Sequence, residues 1–292
     1  MSHYLWLTLH EISCTRQFES KIMTYKAIVL DLDGTLTNNK KEITPLTKEA
    51  LMSAQRNGMR VILASGRPTY GIRPVAEALG IGSYDGYVMA YNGGCVTKWA
   101  DKTIIFNQTL DPALVPVLYN AAKNAPHPFE ILTYQGESIA ATNVNDEYVR
   151  HEAFINKMPL VQYDDFTNQV QPPINKCLIV GDPSPLAILE KDLAVSLQGK
   201  CSVYRSADFF LECVPCGIDK AASLSRLIKA LGLKREEIIA VGDGYNDMSM
   251  IEYAGLGVAM ANAASEVKAK ADYVTLSNEE DGVAHVIKKF CD

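Results

Sequence analysis

Asp31 and Asp33 stand two residues apart in Asp31-Leu32-Asp33-Gly34-Thr35, directly after the apolar run Ala27-Ile28-Val29-Leu30. A short continuous apolar run of this kind predicts a buried strand. Polar residues just past a strand end lie where open α/β sheets bind ligands. Gly34 lets the backbone turn sharply there. Two carboxylates aimed into one small space repel unless a cation sits between them. Mg²⁺, which takes hard oxygen ligands, is the natural occupant.

The same grammar recurs along the chain. Thr44 caps a helix with Pro45 at its first position, Leu46, Ala50, Leu51 and Ala54 form its apolar stripe, and Gly58 ends it. Arg60-Val61-Ile62-Leu63-Ala64 predicts a second buried strand, ending at Ser65-Gly66-Arg67, and Tyr87-Val88-Met89-Ala90 a third, ending at Tyr91-Asn92-Gly93. Strand–helix–strand alternation implies a parallel sheet with these loops on one edge. The alternation resumes after Gly217, with a helix over about 219–231 and the strand Glu237–Val241 running into Gly242-Asp243-Gly244-Tyr245-Asn246-Asp247.

Between these two stretches the rhythm is different. A hairpin over 95–106 with its turn at Asp101-Lys102, strands over 129–134, 138–142, 176–180, 202–206 and 209–214, and helices near 111–122, 145–157 and 184–197 describe an α+β module. The segment 163–173 reads as a loop. The expected architecture is therefore α/β: a doubly wound parallel-sheet core built from 23–94 and 213–292, with an α+β cap inserted over 95–212. Residues 1–22 are unlike the rest of the chain, and the simplest hypothesis makes Met23 the functional start and 1–22 an extension outside the fold.

Bulk properties exclude more than they assign. Over 292 residues, the share of hydrophobic residues is 48% and the net charge −6, with no basic block or stripe, so a nucleic-acid surface is not expected. Leu5-Trp6-Leu7-Thr8-Leu9 is too short to span a membrane. Seven cysteines without a regular framework point to a reduced, cytoplasmic setting. Cys213-Val-Pro-Cys216 is a lone CxxC, for which buried packing is the simpler reading than metal or redox chemistry. No obligate protein partner is evident.

Five loops can converge: Asp31/Asp33, Ser65-Gly66-Arg67, Asn92-Gly93, Lys220, and Asp243/Asn246/Asp247. Four carboxylates, a lysine and a hydroxyl around one point suit phosphoryl transfer, which needs charge neutralisation and in-line positioning. A carboxylate nucleophile is one route.

These motifs, taken in order, resemble the four motifs of the haloacid dehalogenase-like superfamily. Ala64-Ser65-Gly66-Arg67, Tyr91-Asn92-Gly93 and Gly257-Val258-Ala259-Met260-Ala261-Asn262-Ala263 resemble more narrowly the Cof-type sugar-phosphate phosphatases, which carry a large α/β cap (type C2). The resemblance covers about 24–290. It implies that Asp31 is the nucleophile and a Mg²⁺ ligand. Asp33 would be the proton donor and then the base, binding Mg²⁺ through its carbonyl. Ser65 and Gly66 would hold the phosphate with Asn246, and the loop around Leu32 and Gly93 would approach it. Lys220 would neutralise charge, Asp243 and Asp247 would complete the metal site, and Arg67 and Asn92 would face the substrate. Two positions depart from the pattern: Asp219 precedes the lysine where a small residue is common, and Ala261 stands where relatives often carry Gly.

The expected function is Mg²⁺-dependent hydrolysis of a small phosphorylated metabolite, a sugar phosphate first, through an aspartyl-phosphate. Flavin or pyridoxal phosphates are the close alternative. A sugar phosphomutase and a non-enzymatic phosphate- and metal-binding regulator are the rivals.

Overall fold

The computed structural model describes residues 25–291, so the expectation for 1–22 lies outside the described residues. In chain order the elements are β1 (Ala27–Leu30), α1 (Pro45–Arg56), β2 (Arg60–Ala64), α2 (Thr69–Ala78), β3 (Tyr87–Ala90), β4 (Cys95–Lys98), β5 (Ile104–Asn107), α3 (Leu114–Lys123), β6 (Glu130–Gln135), β7 (Ser138–Ala141), α4 (Glu147–Asn156), β8 (Leu160–Gln162), α5 (Phe166–Gln169), β9 (Cys177–Val180) and α6 (Pro183–Ser196). They continue with β10 (Ser202–Ala207), β11 (Phe210–Val214), α7 (Lys220–Ala230), β12 (Ile238–Gly242), α8 (Met248–Tyr253), β13 (Leu256–Ala259), α9 (Ser265–Lys268), β14 (Tyr273–Val274) and α10 (Gly282–Phe290).

One sheet runs β14-β13-β12-β1-β2-β3-β4-β5, parallel from β14 to β3. Its central strands are buried on both faces, which is why their sequences are continuous apolar runs. Alternate residues feed separate cores. Ile28, Leu30, Val61 and Leu63 pack with Leu51 of α1, Ile72 of α2 and Val286 of α10. Val29, Ile62 and Ala64 pack with Leu224 and Leu227 of α7 and Met250 of α8. Helices on both faces make the sheet doubly wound, as expected. Fully burying a Leu or Ile stabilises by about 1.5–3 kcal/mol, and truncating one of these to Ala costs about 2–5 kcal/mol. Thr44 caps α1 as read from the sequence, its hydroxyl accepting from Thr47 N at 3.1 Å.

The second sheet runs β10-β11-β9-β6-β7-β8, antiparallel apart from the β7–β8 pair. On one face Leu118 of α3, Phe166 of α5 and Leu186 of α6 cover Ile131, Ile179 and Leu211. The opposite face carries Leu132, Tyr134, Leu178 and Phe210, with Val149 of α4, and Tyr70 and Tyr91 from the first module pack against it. That face looks toward the carboxyl edge of the first sheet.

Two expected boundaries are corrected. The hairpin of β4 and β5 does not open the cap; it extends the first sheet, with β4 antiparallel to β3 in the register Ala90↔Cys95. The physical reason is the tight reversal over 91–93, where Tyr91, Asn92 and Gly93 all have positive φ (53°, 54° and 94°) and fold the chain straight back onto the open edge of β3. The chain therefore enters the second module only after Asn107. At the other end β11 stays in the second sheet to Val214, two residues beyond the expected end of the cap at 212. The crossings are adjacent: Gln108 Nε2 donates to Cys216 O at 2.7 Å, and Gln108 N to Gly94 O at 2.8 Å. β8 and the four-residue α5 were not expected; α5 falls in the segment read as a loop. Cys213 is buried on β11 and Cys216 half-buried, neither in a disulfide, in line with the packing reading.

Candidate active site

The carboxyl ends of β1, β2, β3 and β12 deliver Asp31, Ser65, Asn92 and Asp243 to one edge, and the start of α7 brings Lys220 across to them. Lys220 is buried, 1% exposed. Its Nζ donates to Asp31 Oδ1 at 2.7 Å, to Asp247 Oδ1 at 2.6 Å and to Ala64 O at 2.9 Å, which uses all three of its protons. Burial alone would lower its pKa, but Asp247 and Asp31 outweigh that and raise it. Asp219, the unusual residue ahead of this lysine, caps α7, accepting from Ala222 N at 2.9 Å.

Asp31, Asp243 and Asp247 each place a carboxylate oxygen within 4.8 Å of the others. Burial, then the Asp247 charge, push the Asp31 carboxyl well above the usual range, even against the pull of Lys220. Burial pushes Asp243 up to about 6, against the Thr35 hydroxyl that donates to it at 2.8 Å. Asp247 is oriented by two backbone donors, Asp243 N at 3.1 Å and Gly244 N at 2.9 Å. Three buried or half-buried carboxylates facing one ammonium leave negative charge in excess. Their all-oxygen donor set fits a hard divalent cation. The space at this point is held open by glycine: at Gly34, with φ +83°, a Cβ would lie 2.3 Å from Asp243 Oδ2.

Asp33 is elsewhere. Its carboxylate lies outside the three-acid group and accepts from Arg67 Nε at 2.7 Å, Arg67 Nη2 at 2.6 Å and Lys41 Nζ at 2.7 Å. Burial would raise its pKa, but Arg67 and Lys41 together hold it below the usual carboxylate range. Arg67, expected to face substrate, is thus engaged by Asp33. Lys41 is not among the residues singled out from the sequence. It sits in the polar turn before α1, in a left-handed backbone conformation (φ 62°), with no motif to mark it.

The remaining expected residues also gather here. Ser65 is buried, and its Oγ accepts from Arg67 N at 3.2 Å. Asn92 Oδ1 accepts from Asn246 Nδ2 at 3.0 Å, and Asn92 N donates to Ser65 O at 2.9 Å. Gly66 stands close to Asn92, where a Cβ would meet its side chain at 3.3 Å. Gly93 O accepts from Ser223 Oγ of α7 at 2.9 Å, and a Cβ on Gly93 would strike that serine at 2.6 Å. Leu32 is wholly buried, so only its backbone can approach a ligand.

A cavity of about 320 Å³ lies over these groups, with Asp31, Asp33, Ser65 and Asp243 in its floor. Its roof comes from the second module and includes Glu152, Lys176, Ser206 and Glu212. Lys176 pairs with Glu212 at 3.2 Å and reaches Gly66 O at 3.4 Å; Glu212 accepts from Tyr204 OH at 3.3 Å. Glu152 accepts from Tyr134 OH and from Asn156 Nδ2. Sequence reasoning did not find these roof residues. Their only available signal was a charged residue at alternate positions of apolar strands, as in Phe210-Leu211-Glu212-Cys213. Tyr134 lies behind the roof through Glu152, while Tyr148 stacks on Phe209 and Tyr163 packs against the outer core.

A family model described as haloacid dehalogenase-like hydrolase matches residues 28–287. A solved haloacid dehalogenase-like hydrolase from Bacteroides thetaiotaomicron is 51% identical, superposes with a TM-score of 0.89, and covers 91% of this chain and 99% of its own. A solved HAD subclass IIB sugar phosphatase is 26% identical with a TM-score of 0.75, covering 91% and 98%. The pyridoxal phosphate phosphatase of Escherichia coli K12 is 31% identical over 278 residues, 91% of this chain and 98% of that one. The narrower Cof-type resemblance fits these relatives, and the enzyme class they carry, phosphoric monoester hydrolase, is the one read from the motifs. The chain belongs to the haloacid dehalogenase-like hydrolases.

Proposed function

We propose that the protein is a Mg²⁺-dependent phosphatase of small phosphorylated metabolites, with sugar phosphates first, acting through an aspartyl-phosphate on Asp31. One observation carries this reading. Asp31 sits at the floor of a cavity, in contact with Lys220 and beside Asp243 and Asp247, with Ser65 and Gly66 on the same wall.

In this reading Asp31, Asp243 and Asp247, with the Asp33 carbonyl, hold Mg²⁺, which when bound neutralises the excess carboxylate charge and the charge of the phosphate. Asp31 attacks phosphorus, and the bond to the leaving oxygen breaks while Asp33 passes that oxygen a proton. Because Arg67 and Lys41 hold Asp33 ionised in the free protein, the proton would enter with a singly protonated phosphate ester. Ser65 Oγ, the Gly66 amide and Asn246 hold the equatorial oxygens. Lys220 orients Asp31 and, together with the cation when bound, would hold it ionised against the burial that otherwise raises its pKa. Water then attacks the aspartyl-phosphate. The roof excludes bulk water and presents hydrogen-bonding groups to the organic part of the substrate, so substrate choice is assigned to the second module.

The sugar-phosphatase neighbour supports the first substrate class, and the pyridoxal phosphate phosphatase relative keeps a cofactor phosphate as the second. The roof of carboxylates, hydroxyls and one lysine favours a hydroxyl-rich partner over a flat apolar ring. A phosphomutase would require a bisphosphate activator. A mere binder has no use for both Asp31 and Asp33. The compartment in this reading is the cytoplasm; no helix among the described residues is long and apolar enough to cross a membrane. The test is phosphate release from a panel of phosphorylated metabolites with Mg²⁺ and no activator. Release that persists unchanged in Asp31→Asn would sink the mechanism.

A further inference from the structure

Arg67 joins three parts of the molecule through one rigid fork. Nε and Nη2 grip the two Asp33 oxygens at 2.7 and 2.6 Å, and Nη1 donates to Ile155 O at 3.2 Å, in the last turn of α4. The side chain is 11% exposed. Its backbone is also fixed: Arg67 N donates to Ser65 Oγ, and Arg67 O accepts from Tyr91 N at 3.0 Å. Nearby, Lys176 Nζ reaches Gly66 O from the second module, and a Cβ on Gly71 of α2 would meet Asn156 Oδ1 of α4 at 2.3 Å. The two modules therefore meet closely around this arginine.

A carboxylate offers about four lone-pair directions. Asp33 Oδ1 accepts two of its three bonds, from Arg67 and Lys41, and Oδ2 accepts one. One direction on Oδ2 stays available on a group that lines the cavity. We propose that Arg67 is a positioning residue for the hydrolytic half of the reaction: it holds Asp33 as the base that activates water, and its bond to Ile155 makes that alignment depend on the seated second module. The inference rests on the phosphatase reading above. In the step concerned, the water oxygen forms a bond to phosphorus and a water proton passes to Asp33 Oδ2. The phosphorus–oxygen bond to Asp31 breaks, and its electron pair stays on the Asp31 carboxylate. Inorganic phosphate is the product. Lysine cannot replace the fork, because a point ammonium does not span both Asp33 oxygens and Ile155 O.

The experiment is rapid-quench kinetics with p-nitrophenyl phosphate and Mg²⁺, whose leaving group needs no proton. In Arg67→Ala the first half proceeds and the second stalls. Nitrophenolate appears in a burst near one equivalent per enzyme, steady-state kcat falls about 100-fold, and KM falls with it. Arg67→Lys, which keeps the charge and most of the side-chain bulk and so disturbs folding least, behaves the same way. A raised KM with kcat retained would make Arg67 a substrate-binding group and overturn the proposal. So would a fall in kcat without a burst, or full activity in Arg67→Lys. Failure of the underlying reading looks different: the wild-type enzyme would release no nitrophenolate, or Asp31→Asn would still turn over.

Discussion

The two modules bury charge in opposite ways. At the edge of the parallel sheet, Asp31, Asp243 and Asp247 crowd one lysine and leave negative charge that no other cation among the described residues contacts. In the roof, Lys176 and Glu212 answer each other, and Glu152 is satisfied by Tyr134 and Asn156. The floor is built unbalanced and asks for a cation and a phosphate. The roof meets its two carboxylates with one ammonium and neutral hydrogen-bond donors, and trades hydrogen bonds with whatever neutral group lies beneath it. Chemistry and choice are thereby separable: a change in the floor should affect every substrate alike, and a change in the roof should reorder substrates.

The contrast can be broken most sharply at Asp31. Asp31→Asn should lower kcat by about 10³-fold or more for every phosphate ester tested, measured as phosphate release. A loss confined to some substrates would contradict it. Gly34→Ala comes next. Its new Cβ strikes Asp243 Oδ2, so Mg²⁺ activation should need a higher concentration and kcat/KM should fall by about 10- to 100-fold. In the roof, Glu212→Gln weakens the hold on Lys176; the ratio of kcat/KM between two sugar phosphates should shift by about 10-fold. A uniform loss across the panel would merge the two modules functionally.

The smallest effect is thermal. Burial raises Asp243 from 3.8 to about 6, so without divalent ions the folded state binds more protons than the unfolded chain between those values. Stability from this group is fully present below about pH 4 and is lost as pH rises through 6. Asp31, raised too, extends the loss upward. Mg²⁺ at about 100 times its Kd should add ~2.7 kcal/mol and flatten the decline, as read by Tm against pH with and without EDTA. A Tm that rises over this pH interval in EDTA would show that the floor is not overcharged.

The floor was legible because each of its parts is local. Asp31, Ser65, Asn92 and Asp243 come directly after apolar strands, and parallel topology alone gathers strand ends onto one edge. The roof was not, because Glu152 lies on a helix, Glu212 on a strand and Lys176 just ahead of another strand, elements that meet only through antiparallel pairing and helix packing, and no spacing relates them. Lys41 escaped for the same reason. The position of β4 also escaped. A hairpin read from 95–106 says that two strands pair, but not which sheet edge they join; that was decided by three successive positive-φ residues. Arg67 was found by its motif, yet its partner was not, since two neighbours compete for one guanidinium and sequence does not rank them.

Gln108 and Cys216, where the chain leaves and rejoins the first sheet, are within one hydrogen bond of each other. To the first sheet, everything between them is a single closed gap, and the entropy of closing a gap grows only with the logarithm of its length. The roof can therefore be lengthened, shortened or replaced wholesale with little thermodynamic consequence for the sheet beneath it. A lineage, or an engineer, could exchange it as a cassette and keep the same reaction under a different lid.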